Sequence, residues 1–255
     1  MSKRKIIDYL LIFFLFIFLN TFPLSDLTNN PWIWFSVYCV MNVAFLIFLY
    51  FFVKKRSCLV TYPHGWRKKS LWLLLPLILV SASNFIYLFF VPSDVTSSLN
   101  WTFPLYVVLT VFTALKEEAI FRLLLIPNLD KVHHRFWRII LSSAIFGIAH
   151  LSNFLITFDA TYLIQIVYTF GFGIILGFIY EYGRSYLMCV IFHFVFNTIN
   201  GTIFETITPI TTNFSLYIVI NIVVSLVAAL YLFIIYWIFL RKEKRTVDEL
   251  TTKTI

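Results

Sequence analysis

Apolar positions along this chain fall in long runs, many of them more than 18 residues, and polar positions gather in the short breaks between them. A run of that length covers a hydrocarbon core of about 30 Å when wound as a helix. Backbone groups in lipid must be satisfied internally, so continuous apolar runs predict helices rather than open strands. The pattern predicts spans over roughly 6–23, 32–53, 71–92, 101–126, 138–158, 161–180, 185–204 and 214–240. The breaks carry turn and charge signals: Ser25-Asp26, Lys54-Lys55-Arg56, Pro92-Ser93-Asp94, Pro127-Asn128, Asp159, Gly183-Arg184 and Pro209. The expected fold is therefore all-α, a polytopic transmembrane bundle of about eight helices forming a single integral membrane domain, 1–255.

Charge placement orients that bundle. With the N-terminus in the cytosol and eight crossings, 18 of the 20 Lys and Arg residues fall on the cytosolic side. The other two, Lys116 and Arg122, lie inside the fourth span. The expected outer loops hold Asp26, Asp94, Asp159 and Glu205 but no basic residue. This is the asymmetry expected of a membrane protein with both termini inside, including a basic cytosolic tail over 241–255. It accounts for the formal net charge of +8 without a nucleic-acid partner. The first run could alternatively be a signal peptide, but no small-x-small cleavage site follows it. The segment 57–70, with Trp66, Arg67, Lys68 and Lys69, suits the cytosolic lipid surface.

Composition agrees. Hydrophobic residues make up 60% of the chain and charged residues 13%, about half the share in a soluble domain. Three cysteines, Cys39, Cys58 and Cys189, form no disulfide framework.

Ionisable residues inside membrane helices are costly and become functional candidates by default. The fourth span holds Lys116, Glu117, Glu118 and Arg122, the fifth His150, and the seventh His193 with Asn197. At 1.5 Å per residue, Glu117, His150, His193 and Asn197 lie about 13, 18, 12 and 18 Å from the cytosolic ends of their spans. Three helices thus bring polar groups to one layer. Glu118 and Arg122 are four apart and can pair, as can His193 and Asn197. Glu117 is turned about 100° from Glu118, so one carboxylate can be held by Arg122 while the other faces a cavity. Lys116 can reach toward the cytosolic interface or pair with a carboxylate. A carboxylate with two imidazoles can activate water, and an amide such as that of Asn197 can hold an oxyanion. Two His and a carboxylate also make a plausible zinc set, although the helix lacks the His-Glu-x-x-His pattern of metalloproteases.

Blander readings stand beside these. Glu118–Arg122 is a structural ion pair on this view, Glu117 a neutral buried acid, and His150 alone a packing histidine. Cys189, one turn before His193, is a small buried hydrophobe rather than a nucleophile. Gly173-Ile-Ile-Leu-Gly177 permits close approach of another helix, in the fold or in a dimer. Pro76 and Pro104 are expected kinks.

Glu117-Glu118-Ala-Ile-Phe-Arg122 resembles the Glu-Glu-x-x-x-Arg motif of the CPBP intramembrane proteases, also called the CAAX protease and bacteriocin-processing, or Abi, family. Phe146-Gly-Ile-Ala-His150 is similar to that family's Phe-x-x-x-His motif, and His193-Phe-Val-Phe-Asn197 to its His-x-x-x-Asn/Asp motif. The three occur in the family's order within a motif-bearing core of about 101–204. The resemblance implies an intramembrane endopeptidase acting on a membrane-associated peptide or protein. Glu117 would activate water, with His150, His193 and Asn197 completing the site. Glu118, Arg122 and Phe146 would support it. A divalent metal such as zinc, if used, would sit on His150 and His193. Peptide maturation and bacteriocin self-immunity are among the family's roles. The Phe-, Ile- and Asn-rich composition suits a bacterial cell membrane. Two other classes use the same residues: a non-catalytic immunity or binding protein, and a proton-coupled transporter. The transporter should show two-fold internal symmetry, and none is visible. Oligomeric state and substrate are left open.

Overall fold

The computed structural model describes residues 3–21, 30–55, 74–82, 103–129, 132, 134–158, 161–203 and 214–237. The segment 57–70, the tail 241–255, Cys58, Lys131 and the four acidic loop residues lie outside them. Among the described residues every regular element is helical. In chain order these are α1 Lys3–Thr21, α2 Pro31–Lys55, α3 Leu75–Ser81, α4 Phe103–Glu118, α5 Ile126–Asn128, α6 Arg135–Ala149, α7 Leu151–Thr157, α8 Thr161–Glu181, α9 Tyr186–Asn197 and α10 Phe214–Ile235. Two π-helical segments follow α4 and α9, at Ala119–Leu125 and Thr198–Ile203.

Each expected span contains described helix, the third only over its first part. Pro31–Lys54, Arg135–Leu155 and Tyr162–Glu181 are long and apolar enough to cross a membrane. Asp8–Thr21, Tyr186–Asn200 and Ile222–Ile235 are shorter apolar helices. Apolar side chains cover the outward faces of α2 and α10, including Val40, Phe51, Leu226 and Leu230. Charged groups are instead drawn to the middle of the bundle: Lys116, Glu118, Arg122 and Glu181 are fully buried.

Local signals explain several boundaries. Asn30 accepts the Trp32 amide through Oδ1 at 3.0 Å, and Pro31 fills the first helical position of α2, where its missing N–H costs no bond. Ser185 caps α9, its hydroxyl accepting from the Met188 amide at 3.2 Å. Phe158 ends α7 in the left-handed region, at φ 53°. The expected kink at Pro76 is not seen: it is the second residue of α3, in a first turn that tolerates it, whereas the residues before Phe103 that bear on Pro104 lie outside the described ones.

The antiparallel pair α6 and α8 packs most extensively, and glycines are the reason. A Cβ on Gly147 would come within 2.9 Å of the Ile166 carbonyl oxygen, and one on Gly177 within 2.7 Å of Ile139 Cγ2. A Cβ on Gly173 would meet Phe146 and Ser143 at 3.1 Å. The Gly173–Gly177 pattern therefore serves a contact inside the fold, with α6. At the far end of the pair, buried Glu181 draws in Arg138 Nη2 at 3.7 Å and Arg135 Nε at 3.9 Å. Helix α4 lies against α2 on one side and α9 on the other. That position makes it the central element of the site.

Candidate active site

The chain is helical without interruption from Phe103 to Asn128, and its winding changes from α to π directly after Glu118. π turns are rare and recur at functional sites. Around this change every side chain from Lys116 to Arg122 is buried.

Glu118 uses its two oxygens for two partners. Oε1 lies 2.8 Å from His193 Nδ1 on α9. Oε2 lies 3.1 Å from Arg122 Nε, an ion pair by distance whose N–H does not point along the contact. Arg122 spends its other nitrogens elsewhere: Nη1 donates to Ser142 Oγ at 3.4 Å, and Nη2 to the Gly173 carbonyl at 3.3 Å. The guanidinium carbon is 5.5 Å from the centre of the Phe146 ring. Ser142 in turn donates to the Phe121 carbonyl in the π segment, at 3.1 Å. One guanidinium thus joins the π segment, α6 and α8, and its charge is met by Glu118.

The same contacts set the histidine tautomers. A carbonyl can only accept, so His150 Nδ1, 2.9 Å from the Phe146 carbonyl, carries the hydrogen. Its Nε2 then has a free lone pair when the ring is neutral. His193 Nδ1 likewise donates to the carboxylate that Arg122 holds, which turns His193 Nε2 toward Glu117. The separation from Glu117 Oε2 is 3.6 Å. Glu117 is 4% exposed, and its Oε2 has no hydrogen-bond partner among the described residues. A buried carboxylate oxygen left unpaired is expensive. Here it faces an imidazole nitrogen, His193 Nε2.

Aromatic rings wall this pair. Phe146 meets His150 edge-on at 4.9 Å between centroids and His193 at 6.0 Å. Phe172 meets His193 at 5.2 Å and stacks on Phe196 at 4.1 Å. The structure therefore brings Glu117, Glu118, Arg122 and His193 into direct contact, and His150 joins them through the Phe146 ring. Asn197 ends α9, half-buried and one turn from His193, without a contact to the other site residues among those described.

Lys116 does not reach toward the cytosolic interface. It is fully buried, and Nζ donates to Asn42 Oδ1 at 3.0 Å and to the Tyr38 hydroxyl at 3.2 Å, both on α2. Tyr38, Asn42, Ser142, Phe172 and the Gly173 carbonyl are site elements that the motifs did not name. Asn42 and Ser142 carried a usable signal, each a polar residue inside an apolar run. Cys189 is fully buried and directs its thiol at the Leu176 and Ser185 carbonyls, at 3.4 and 3.3 Å, as a packed thiol does.

Among the described residues, no group of three or more His, Cys, Asp or Glu side chains is arranged to hold a metal ion. The Nδ1 atoms of both motif histidines are committed, to Glu118 and to the Phe146 carbonyl, so Nε2 is the atom through which either ring would hold a metal.

Comparison with curated proteins and with solved structures gives no match. A protein family does match: type II CAAX prenyl endopeptidase Rce1-like, over residues 99–199, which contain all three motifs. Its match region starts just before α4 and ends in the π segment after α9, so it frames the buried carboxylate–histidine site. Over residues 99–199, the stretch that carries all three motifs, this chain is similar to the Rce1-like type II CAAX prenyl endopeptidases.

Proposed function

We propose that this chain is an intramembrane endopeptidase that hydrolyses a peptide bond of a membrane-associated peptide or protein, using water activated by Glu117. The observation that carries the reading is the unpaired, buried Glu117 Oε2 standing 3.6 Å from His193 Nε2. A water at ordinary hydrogen-bond distance, about 2.8 Å, from both atoms closes a triangle with them. In that position it gives one proton to Glu117 and directs its other hydrogen at the His193 lone pair. Glu118 and Arg122 keep His193 in the tautomer this requires.

The oxygen of that water adds to the scissile carbonyl carbon as Glu117 takes the proton. The resulting oxyanion is met by the Asn197 amide, a neutral donor suited to developing negative charge. When the C–N bond breaks, Glu117 returns its proton to the leaving nitrogen. His150, fixed by the Phe146 carbonyl, lines the same layer. The matched family's description points to prenylated CAAX ends. For this chain the substrate class is a peptide whose scissile bond reaches the Glu117 layer from the bilayer. On our reading of eight crossings with both termini in the cytosol, that layer lies somewhat toward the cytosolic face.

The test compares N-termini of membrane peptides by mass spectrometry, in cells making wild type or Glu117→Gln at matched levels. New termini that depend on Glu117 are expected. Identical termini in the two strains would remove the peptidase reading.

A further inference from the structure

Lys116 is the fourth ionisable group in the helical stretch that carries both glutamates, and nothing in the three motifs includes it. It has no exposed surface. Its ammonium reaches away from α4 to α2, donating to Asn42 Oδ1 and the Tyr38 hydroxyl, and it sits 5.3 Å from the Tyr38 ring centre and 6.0 Å from that of Phe16 on α1. Asn42, itself fully buried, is held in turn: its amide donates to the Tyr38 carbonyl at 2.7 Å. The acceptor presented to Lys116 is therefore pre-oriented.

Both of these acceptors are neutral. They satisfy hydrogen bonds but not the charge, and a buried cation without a counter-charge is strongly unfavourable. Glu118 is already taken by Arg122 and His193. The carboxylate beside Lys116 along the helix is its sequence neighbour Glu117. Over Lys116–Arg122 the two positive and two negative charges then balance, Lys116 facing α2 while Glu117, Glu118 and Arg122 face the other helices of the site.

We propose that Lys116 is a positioning residue for the reaction: it locks the α4 turn bearing Glu117 to Tyr38 and Asn42 of α2, and it supplies the positive charge opposite the Glu117 carboxylate. This rests on the peptidase reading for its catalytic consequence, but not for its electrostatic one. Helix α2 is then part of the working site, although it contributes no motif residue.

A thermal-unfolding cycle on the full-length protein in detergent tests the charge pairing without any substrate. Lys116→Met is expected to lower Tm in the wild-type background and to leave it unchanged or raise it in the Glu117→Gln background, where the cation has lost its partner. Equal shifts in the two backgrounds would overturn the pairing. Catalysis is read on the peptide whose new N-terminus depends on Glu117. Lys116→Met is expected to reduce kcat about tenfold or more with KM little changed, the signature of a misplaced reacting group rather than lost binding. Lys116→Arg should recover part of that loss. A folded Lys116→Met with wild-type kcat would overturn the positioning role. If Lys116→Met does not fold, Tyr38→Phe decides, since it keeps the ring and removes one acceptor: reduced kcat at constant KM supports the proposal, and unchanged kcat overturns it. If no peptide depends on Glu117, the peptidase reading fails while the unfolding cycle still judges the Lys116–Glu117 pair.

Discussion

His193 Nδ1 lies 2.8 Å from Glu118 Oε1, so the second glutamate of the motif works on the histidine and not on the substrate. Neighbours in sequence, Glu117 and Glu118 differ in surroundings: Glu117 Oε2 has only a 3.6 Å approach to His193, whereas Glu118 is hydrogen-bonded to His193 at 2.8 Å and lies 3.1 Å from Arg122 Nε.

That difference separates two conservative substitutions. Glu118→Gln leaves the Arg122 guanidinium buried without its counter-charge, and breaking a buried pair in this way costs about 3–5 kcal/mol. Glu117→Gln removes no hydrogen bond of Glu117 Oε2 and leaves Lys116 its Asn42 and Tyr38 acceptors, so it should cost less than Glu118→Gln, while abolishing cleavage. Denaturation of both variants in detergent, beside wild type, checks the order. A Glu117→Gln variant that is the less stable of the two would contradict it.

Arg122→Lys keeps the charge and loses the fork. An ammonium on that stem cannot serve Glu118, Ser142 and the Gly173 carbonyl together. A loss of about 1–3 kcal/mol is expected from the acceptors left unsatisfied. The same melting series measures it.

Gly147→Ala and Gly171→Ala test the packing of α8. At Gly147 the new methyl would be 2.9 Å from a backbone oxygen, which cannot move without separating α6 from α8. At Gly171 the nearest atom is Ser225 Cβ at 3.7 Å, an ordinary contact. Destabilisation of about 1–3 kcal/mol is expected at Gly147 and near-neutral behaviour at Gly171. Equal effects at the two positions would show that this interface is not the tight one.

Cys189→Ala should retain cleavage. The thiol is packed among carbonyls and takes no part in the Glu117–His193 pair. Loss of activity in a variant with wild-type stability would reopen a cysteine mechanism.

Several of these relationships could be read from spacing alone. Glu118 and Arg122 pair because residues four apart share a face, and Gly173 and Gly177 mark a close contact. What spacing could not give was the partner. The glycines meet α6 rather than a second chain, because Ile139 and Ser143 sit opposite them. Lys116 was ambiguous for the same reason: its neighbours along α4 are carboxylates, while its hydrogen bonds go to α2, 74 and 78 residues earlier. Nor does Ala-Ile-Phe-Arg-Leu-Leu-Leu announce a π segment, since most of these residues are good α formers. Pro76 was misplaced as a kink because a helix start, not an apolar run, decides what a proline does.

The widened winding at Ala119–Leu125 gives the chain slack at one point. Each π turn takes up one residue more than an α turn. Losing a single residue after Arg122, at Leu123 for example, can be absorbed by tightening that turn, with Phe103–Glu118 kept in phase on one side and Ile126–Asn128 on the other. The same loss just before Glu118, in ordinary α winding, would swing the upstream face by about 100° and carry Lys116 away from Asn42. Tolerance to deletion should therefore change abruptly across Glu118, marking the boundary between the part of this helix that must keep strict phase and the part that need not.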